Sequence, residues 1–398
     1  MMHPFSYCVP TEIVFGAGSL SQLPQQLEKR NIRRVLLVYG SASAKKTGVL
    51  DQVLSMLKDH NIDCAALGGV QPNPRLALAR EGVKLAIRQE AQLILALGGG
   101  SVIDTSKAIA HGAADPETDI WEFWKKRAEV KKTLPVGVIL TIPAAGSETS
   151  DSAVLTNEEA GEKRGLNIPL NRPAFAILDP TLAKTLPPHQ VACGVCDIMM
   201  HTMDRYFNPV TDNETTDALA EAILRTVIAV GPRAVADPAD LDAMSELMWC
   251  GSLSHNGLTG LGGNKDFATH QLGHGISEKF DFYHGDSLTA MWPSWAEYVK
   301  STDIARFARY ARNVWGICCA DDETAAQLGI DATRDFFAGI RMPVCIPELP
   351  CGLLPEEDVL DLAERCSFGR SRSIGTFRSL DWQDIEAIYR SANHERSL

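Results

Sequence analysis

The 398-residue chain has no basic tract, no long apolar run and no cysteine framework, and each absence removes a class of function. Its formal net charge is −12. An acidic chain without a basic stripe is a poor partner for nucleic acid or an anionic membrane, because both are held largely through Lys and Arg. No stretch approaches the roughly 18 uninterrupted apolar residues that a membrane-spanning helix needs. The N-terminal Met1-Met2-His3-Pro4-Phe5 lacks a charged region followed by an apolar core, so it does not read as a signal peptide. A cytoplasmic protein is expected. The ten cysteines have no regular spacing, which suits reduced thiols better than disulfides. Cys193 and Cys196 form a C-x-x-C, but a second one is missing and no thioredoxin-type strand precedes it, so a redox pair is the weaker reading. Cys318 and Cys319 read as small buried hydrophobes. No internal repeat or low-complexity segment occurs.

What the chain does have is length and apolar content. At 398 residues and 45% hydrophobic composition it exceeds the usual size of a single core, so two domains are expected. In the first half, short apolar runs alternate with helical spacing: Val35 to Tyr39 before a helix over 47–57, Leu93 to Leu97 before one over 102–110, and a third run from Val136 to Ile142. Buried runs alternating with helices predict a parallel, Rossmann-like sheet covered on both faces. Such sheets bind ligands at the carboxyl ends of their strands.

Gly98-Gly99-Gly100-Ser101 falls at one of those ends. Glycines let a backbone approach an anion, and the following helix start points N–H groups at it. The pattern is not the G-x-G-x-x-G fingerprint, and a tight turn is the bland alternative. Asp104 and Lys107 follow in the first turns of that helix, placed for polar contact beyond a phosphate. Gln71-Pro72-Asn73-Pro74 is a rigid turn whose Asn73 faces the same crevice or merely caps the turn.

Beyond about Pro187 the pattern changes to helices over 215–230, 241–253, 304–314 and 324–337, with few candidate strands. The expected organisation is an α/β dinucleotide-binding domain over 1–186 and an all-α metal-binding and substrate domain over 187–398. The helical half carries the most informative feature: Asp197 and His201, then His270, His274 and His284. Asp197 and His201 are one helical turn apart, and His270 and His274 repeat that spacing, with Asp266 placed to cap their helix. His284 lies in a loop-like Tyr283-His284-Gly285-Asp286. Single acid and histidine pairs at this spacing arise freely on helix surfaces. The weight comes from clustering, since three of the ten histidines fall between 270 and 284. A carboxylate with several imidazoles suits divalent zinc or iron. The metal candidates and the phosphate candidate sit in different halves, which puts the expected chemistry in a cleft between them.

Several spaced motifs in order then carry a resemblance over essentially the whole chain. They are Gly98-Gly99-Gly100-Ser101-Val102-Ile103-Asp104-Thr105-Ser106-Lys107, Leu178-Asp179-Pro180 through Gly194-x-x-Asp197-x-x-x-His201, and His270-x-x-x-His274 followed by His284-Gly285. Together they resemble the iron-containing (group III) alcohol dehydrogenases. Val38-Tyr39-Gly40-Ser41 and the stretch 171–188 are most similar to the butanol dehydrogenase and broad-range NADPH-dependent aldehyde reductase branch. The resemblance implies a dehydroquinate synthase-like fold, a nicotinamide cofactor, one divalent metal and a homodimer. By position it implies metal ligands at Asp197, His201, His270 and His284, with His274 near nicotinamide and substrate instead. It implies a pyrophosphate on Gly98, Gly99, Gly100 and Ser101, Asp104 toward the nicotinamide, and Asn73 nearby. Thr141-x-x-x-x-Gly146-Ser147-Glu148 is implied to line the adenine side, with Ala145 where relatives commonly have Thr. A basic contact maps to Lys163 or Arg164. Asp204 stands where many relatives have Glu, outside the implied ligand set.

NAD-selective relatives present a carboxylate after the first strand. This chain has Gly40-Ser41-Ala42-Ser43-Ala44-Lys45-Lys46 there, small residues with hydroxyl donors and two cations, which favours NADP through its 2′-phosphate. The expected reaction is hydride transfer between nicotinamide and a small aliphatic aldehyde or alcohol, with the metal, Fe(II) or Zn(II), as Lewis acid and His274 as proton relay. Trp121, Phe123 and Trp124, with Asn256 and Phe282, are candidates for an apolar substrate pocket. A lyase of the dehydroquinate synthase type would need a basic cluster for a polyanionic substrate, and a non-catalytic scaffold would tolerate eroded ligands.

Overall fold

The computed structural model describes residues 2–40, 46–209 and 213–394. The chain divides into two compact units. Cys8–Pro187 with Pro238–Ser252 form an α/β unit, while Pro188–Asp237, the chain from Leu253 onward and the N-terminal segment through Tyr7 form a helical one. The α/β unit contains β1 (Glu12–Phe15), α1 (Leu23–Glu28), β2 (Arg34–Gly40), α2 (Val49–Asp59), β3 (Asp63–Val70), α3 (Leu76–Arg88), β4 (Leu93–Gly98), α4 (Gly100–Ala114), α5 (Ile120–Trp124), β5 (Val136–Leu140), β6 (Ser152–Asn157), β7 (Glu162–Asn167) and β8 (Phe175–Leu178). Then come α6 (Pro188–Tyr206), α7 (Glu214–Ala236), α8 (Leu241–His255), α9 (Ala268–Phe280), α10 (His284–Val299), α11 (Ile304–Trp315), α12 (Asp322–Gly339), α13 (Glu356–Cys366) and α14 (Trp382–Ala392).

Six strands make one parallel sheet in the order β1-β8-β5-β4-β2-β3, and β6 pairs with β7 as an antiparallel hairpin. Every residue of β4 is buried, as expected for a central strand covered on both faces. On one face Val35, Leu37, Leu93, Leu95 and Leu97 pack with Leu50, Val53 and Leu57 of α2. On the other, α3 and α4 approach closely: a methyl group at Gly82 would lie 2.3 Å from Ile109. From β2 the chain moves outward to β3 and returns to β4 on the opposite side of β2. The carboxyl ends of β2 and β4, Gly40 and Gly98, therefore flank the switch point where open parallel sheets bind ligands.

The helical unit is built around α6, whose residues from Gly194 to Tyr206 are all buried. A helix enclosed on every side carries its polar residues inside with it. Arg205 is one such case, 1% exposed and donating to the His201 carbonyl at 2.6 Å. No helix among the described residues is long and apolar enough to cross a membrane.

Two expectations need correction. Trp121, Phe123 and Trp124 are core residues, each at most 4% exposed, and the Trp124 indole donates to the Ala153 carbonyl. Cys318 is exposed, in the turn that follows the left-handed Gly316 (φ 68) at the end of α11, and Cys319 is only partly buried, packed against Ala308, Ala311 and Ala325. All ten cysteines are free thiols.

His111 of α4 shows how the interior responds to acid. Its ring meets the Thr133 hydroxyl at 2.9 Å and Asn171 Oδ1 at 2.7 Å, and burial pushes its imidazole down to about 4. Because the folded value lies below the unfolded one near 6.5, the unfolded state takes up more protons as pH falls between them. Stability is therefore lost on acidification. Between pH 7 and pH 5 the expected loss from this residue is about 2 kcal/mol, at roughly 1.4 kcal/mol per pH unit. Urea unfolding at the two pH values, compared with His111→Gln, checks this; equal pH dependence in both proteins would contradict it.

Candidate metal centre

Three helices bring the candidate ligands together. Asp197 and His201 sit one turn apart on α6, and His270 lies in the first turn of α9. His284, expected in a loop, is instead the first residue of α10. Its neighbour Gly285 explains the approach. A methyl group there would lie 2.7 Å from the Cys193 Cα, so only glycine lets the start of α10 close onto α6.

The result is a convergence on one oxygen. Asp197 Oδ1 is 3.3 Å from His201 Nε2, 3.7 Å from His270 Nε2 and 3.9 Å from His284 Nε2. Ligand bonds of about 2.0 to 2.2 Å in a tetrahedral centre place donor atoms roughly 3.3 to 3.6 Å apart. Spacings this close to that range are too long for good hydrogen bonds between most of the groups. Asp197 Oδ1 and His270 Nε2 are accordingly buried without a hydrogen-bond partner. Leaving such atoms dry and unmatched is costly, and a cation among them removes the cost. The donor set fits Zn(II) or Fe(II).

Asp204, seven residues and about two turns beyond Asp197, accepts a hydrogen bond from His270 Nδ1. That bond leaves Nε2 facing Asp197, the usual way a carboxylate fixes the orientation of a ligating histidine. The Asp-for-Glu difference noted in the sequence is thus in direct contact with an implied ligand. Charge in the pocket favours a cation. Burial opposes a protonated His270, yet Asp204 and Asp197 outweigh it and hold the imidazole up to about 9. His201 goes the opposite way, held well below its ordinary value by burial and by His255 and His270.

Asp266 does not occupy the cap position of α9. Phe267 does, with a left-handed φ of 54, and Asp266 Oδ2 accepts from the Ala268 N–H while Oδ1 accepts from Thr376 and Phe377. A phenylalanine in this conformation is strained. Its ring packs 5.3 Å from His270 and 4.9 Å from the Arg205 guanidinium, which holds it there.

His274 is partly exposed, with its ring centre 5.2 Å from that of His284 and 6.3 Å from that of His270. It borders the centre; Asp197, His201 and His270 have donor atoms that all lie within 4.8 Å of one another, a group that leaves out His284 as well, although His284 Nε2 is 3.9 Å from Asp197 Oδ1. Sequence reasoning missed His255. This buried residue ends α8, and its ring centre is 3.9 Å from that of His201. Nothing local in Ser254-His255-Asn256 signals that proximity. Asn256 Oδ1 accepts from the Leu258 N–H, and Phe282 stacks on Phe280.

In the α/β unit, β2, β4 and β5 align Tyr39 with Leu97 and Gly98 with Leu140, so Gly40, Gly98 and Thr141 share one end of the sheet. Ser41 and Ser43 lie outside the described residues. Gly99 is the extended residue before α4, and no side chain caps that helix start, leaving backbone N–H groups around Gly100 and Ser101 for an acceptor. A methyl group at Gly98 would meet Val102 at 2.5 Å, so part of the glycine requirement is internal packing. Lys163 donates to Asn73 Oδ1 at 2.9 Å, whereas Arg164 pairs with Glu162. Lys163, of the two basic candidates, is the one joined to the Asn73 turn.

Lys107 and Ser147 are not open contacts. The fully buried Lys107 ammonium donates to the Ser147 hydroxyl and the Ser152 carbonyl, and Ser147 donates in turn to Asp104 Oδ1 at 2.6 Å. Val154 N–H takes the other Asp104 oxygen. Burial drives the Asp104 carboxyl up and Lys107 down to about 8, each resisted by the other. This relay ties α4 to the 147–154 segment, a cost-saving arrangement for buried charges that their sequence spacing did not reveal.

Residues 10–180 match the family model described as iron-containing alcohol dehydrogenase, and residues 191–393 match that of the Fe-containing alcohol dehydrogenase family, C-terminal. The chain is 37% identical over 394 residues to NADH-dependent butanol dehydrogenase A of Clostridium acetobutylicum, covering 98% of this chain and 100% of that protein. It is 39% identical over 344 residues to the NADPH-dependent aldehyde reductase YqhD of Escherichia coli K12, covering 86% and 88%. The crystal structure of NADH-dependent butanol dehydrogenase A from Thermotoga maritima matches with a TM-score of 0.94 at 32% identity over 99% of both chains. The fold is dehydroquinate synthase-like.

Asp204→Asn retains the shape of the His270 partner but removes its charge. Metal affinity, measured by competition with a chelator, is expected to fall about 10- to 100-fold. Asp204→Glu is expected to retain most of it. Equal affinity in wild type and Asp204→Asn would contradict the orienting role.

Proposed function

Because the chain belongs to the iron-containing alcohol dehydrogenase family, we propose that it interconverts small aliphatic aldehydes and alcohols at one divalent metal, with NADP as the preferred cofactor. That membership makes it an NAD(P)-dependent alcohol dehydrogenase. The observation carrying the metal-dependent part of the proposal is the convergence of three imidazole nitrogens on Asp197 Oδ1.

In this reading Asp197, His201, His270 and His284 hold the ion, and Asp204 keeps His270 turned toward it. When bound, the metal supplies Lewis-acid polarisation of a carbonyl oxygen and the nicotinamide supplies or accepts hydride. The residues' own work is positioning and proton movement. His274, beside the ligands and partly exposed, passes a proton to the substrate oxygen in reduction and removes it in oxidation.

For the cofactor, the backbone at Gly98, Gly99, Gly100 and Ser101 receives the pyrophosphate at the start of α4. Gly40 and Thr141 flank that point, and the Asn73 and Lys163 pair offers a further polar contact. Asp104 contributes through its remaining acceptor capacity. Relatives use NADH in one case and NADPH in another, so the preference rests on the residues after β2. No carboxylate occurs from Gly40 to Lys46, while Ser41, Ser43, Lys45 and Lys46 suit a 2′-phosphate.

Oxidation of NADPH and NADH with butyraldehyde tests the whole reading. Activity is expected to be greater with NADPH, to vanish on complete chelation, and to return with Fe(II) or Zn(II). Activity that survives complete metal removal would contradict it. His274→Ala is expected to keep its metal while turnover slows by about 10²- to 10⁴-fold, the usual range for a lost proton-transfer group. Loss of metal in that variant would contradict the relay.

A further inference from the structure

We propose that His189, Cys193 and Asp286 form a second metal site, suited to a borderline divalent cation such as Zn(II). An imidazole nitrogen, a thiol sulfur and a carboxylate oxygen of these residues all lie within 4.8 Å of one another. His189 Nε2 is 3.1 Å from Asp286 Oδ2, and Cys193 Sγ is 3.7 Å from His189 Nε2. In tetrahedral zinc sites, bonds of about 2.0 to 2.2 Å to nitrogen and oxygen and about 2.3 Å to sulfur space those pairs roughly 3.4 and 3.6 Å apart. The cluster is therefore close to a binding geometry already.

A second observation points to a ligand. Asp286 is 9% exposed, and its other oxygen, Oδ1, is buried without a hydrogen-bond partner. The one side-chain hydrogen bond that Asp286 makes among the described residues is to His189, which is charged only when protonated, so a bound cation would compensate the carboxylate more fully. A cavity of about 450 Å³ bordered by His189, Asp286, Arg341 and Glu348 opens beside the cluster, so an ion can enter and a water can complete its coordination.

The same helices build both centres. His189, Cys193, Asp197 and His201 recur every four residues along α6, so four successive turns offer ligands on one face. On α10, His284 and Asp286 flank Gly285, the residue that allows close contact with Cys193. At 1.5 Å per residue the two pairs on α6 are centred roughly 12 Å apart. The thiol separates their chemistry. The first centre offers only nitrogen and oxygen, whereas Cys193, losing its proton to solvent on binding, adds a thiolate that favours zinc over calcium or magnesium. This also gives the C-x-x-C segment a role for Cys193 that does not involve Cys196.

Cobalt(II) tests the proposal because thiolate ligation produces a near-ultraviolet charge-transfer band that nitrogen and oxygen ligands do not. Full-length protein stripped of metal and titrated with Co(II) is expected to develop this band and to bind two ions per chain. Cys193→Ser should abolish the band and one ion, and Cys318→Ser, at an exposed thiol, should leave both. His189→Ala, a change at a half-exposed side chain, should weaken binding of that ion at least tenfold with the fold intact by circular dichroism. Absence of the band at saturating Co(II), or its persistence in Cys193→Ser, would overturn the site. A single ion whose band disappears in Cys193→Ser would support it and count against the first centre instead.

Discussion

The helical unit depends on how it accommodates one buried carboxylate oxygen, Asp197 Oδ1. Enclosing an ionised carboxylate in an apolar interior is unfavourable unless opposite charge and hydrogen bonds compensate. Here the nearest groups are three imidazoles at 3.3 to 3.9 Å, a spacing that suits an intervening ion better than direct bonds. The surrounding features serve that arrangement. Residues Gly194 to Tyr206 of α6 are buried, Gly285 brings His284 within reach, and Asp204 turns His270. Phe267 adopts a strained backbone at the point where α9 begins its approach.

The α/β unit differs in offering backbone groups, not a cluster of side chains, at the end of its sheet. Its switch point lies between β2 and β4, and the uncapped start of α4 presents N–H groups there. The charged residues nearby are largely committed to the protein itself. Lys107, Ser147 and Asp104 form one buried relay that secures the segment leading into β6. An anion at a helix start of this kind is met chiefly by backbone dipoles, and Lys163 and Asn73 are joined to each other by a hydrogen bond.

Periodicity made the parallel sheet and the long helices legible, because buried strands and amphipathic helices have distinct apolar spacing. The helices carrying Asp197, His201, His270 and His274 were legible for the same reason. Contacts distant in sequence were not. His255 meets His201 across 54 positions, and Asp204 meets His270 across 66, with no local pattern to mark either. Lys107 looked like a ligand contact because spacing cannot distinguish a lysine facing a crevice from one turned into a polar relay. The aromatic run at 121–124 illustrates the converse, since a hydrophobic cluster suits a pocket and a core equally well until its burial is known.

X-ray absorption on the Cys193→Ser protein, which lacks the thiolate of the proposed second site, loaded with one equivalent of Zn(II), tests the central claim most directly. The account predicts a nitrogen and oxygen shell at about 2.0 to 2.1 Å with outer scattering from three imidazole rings. A shell with one imidazole or none, or one dominated by sulfur, would contradict it.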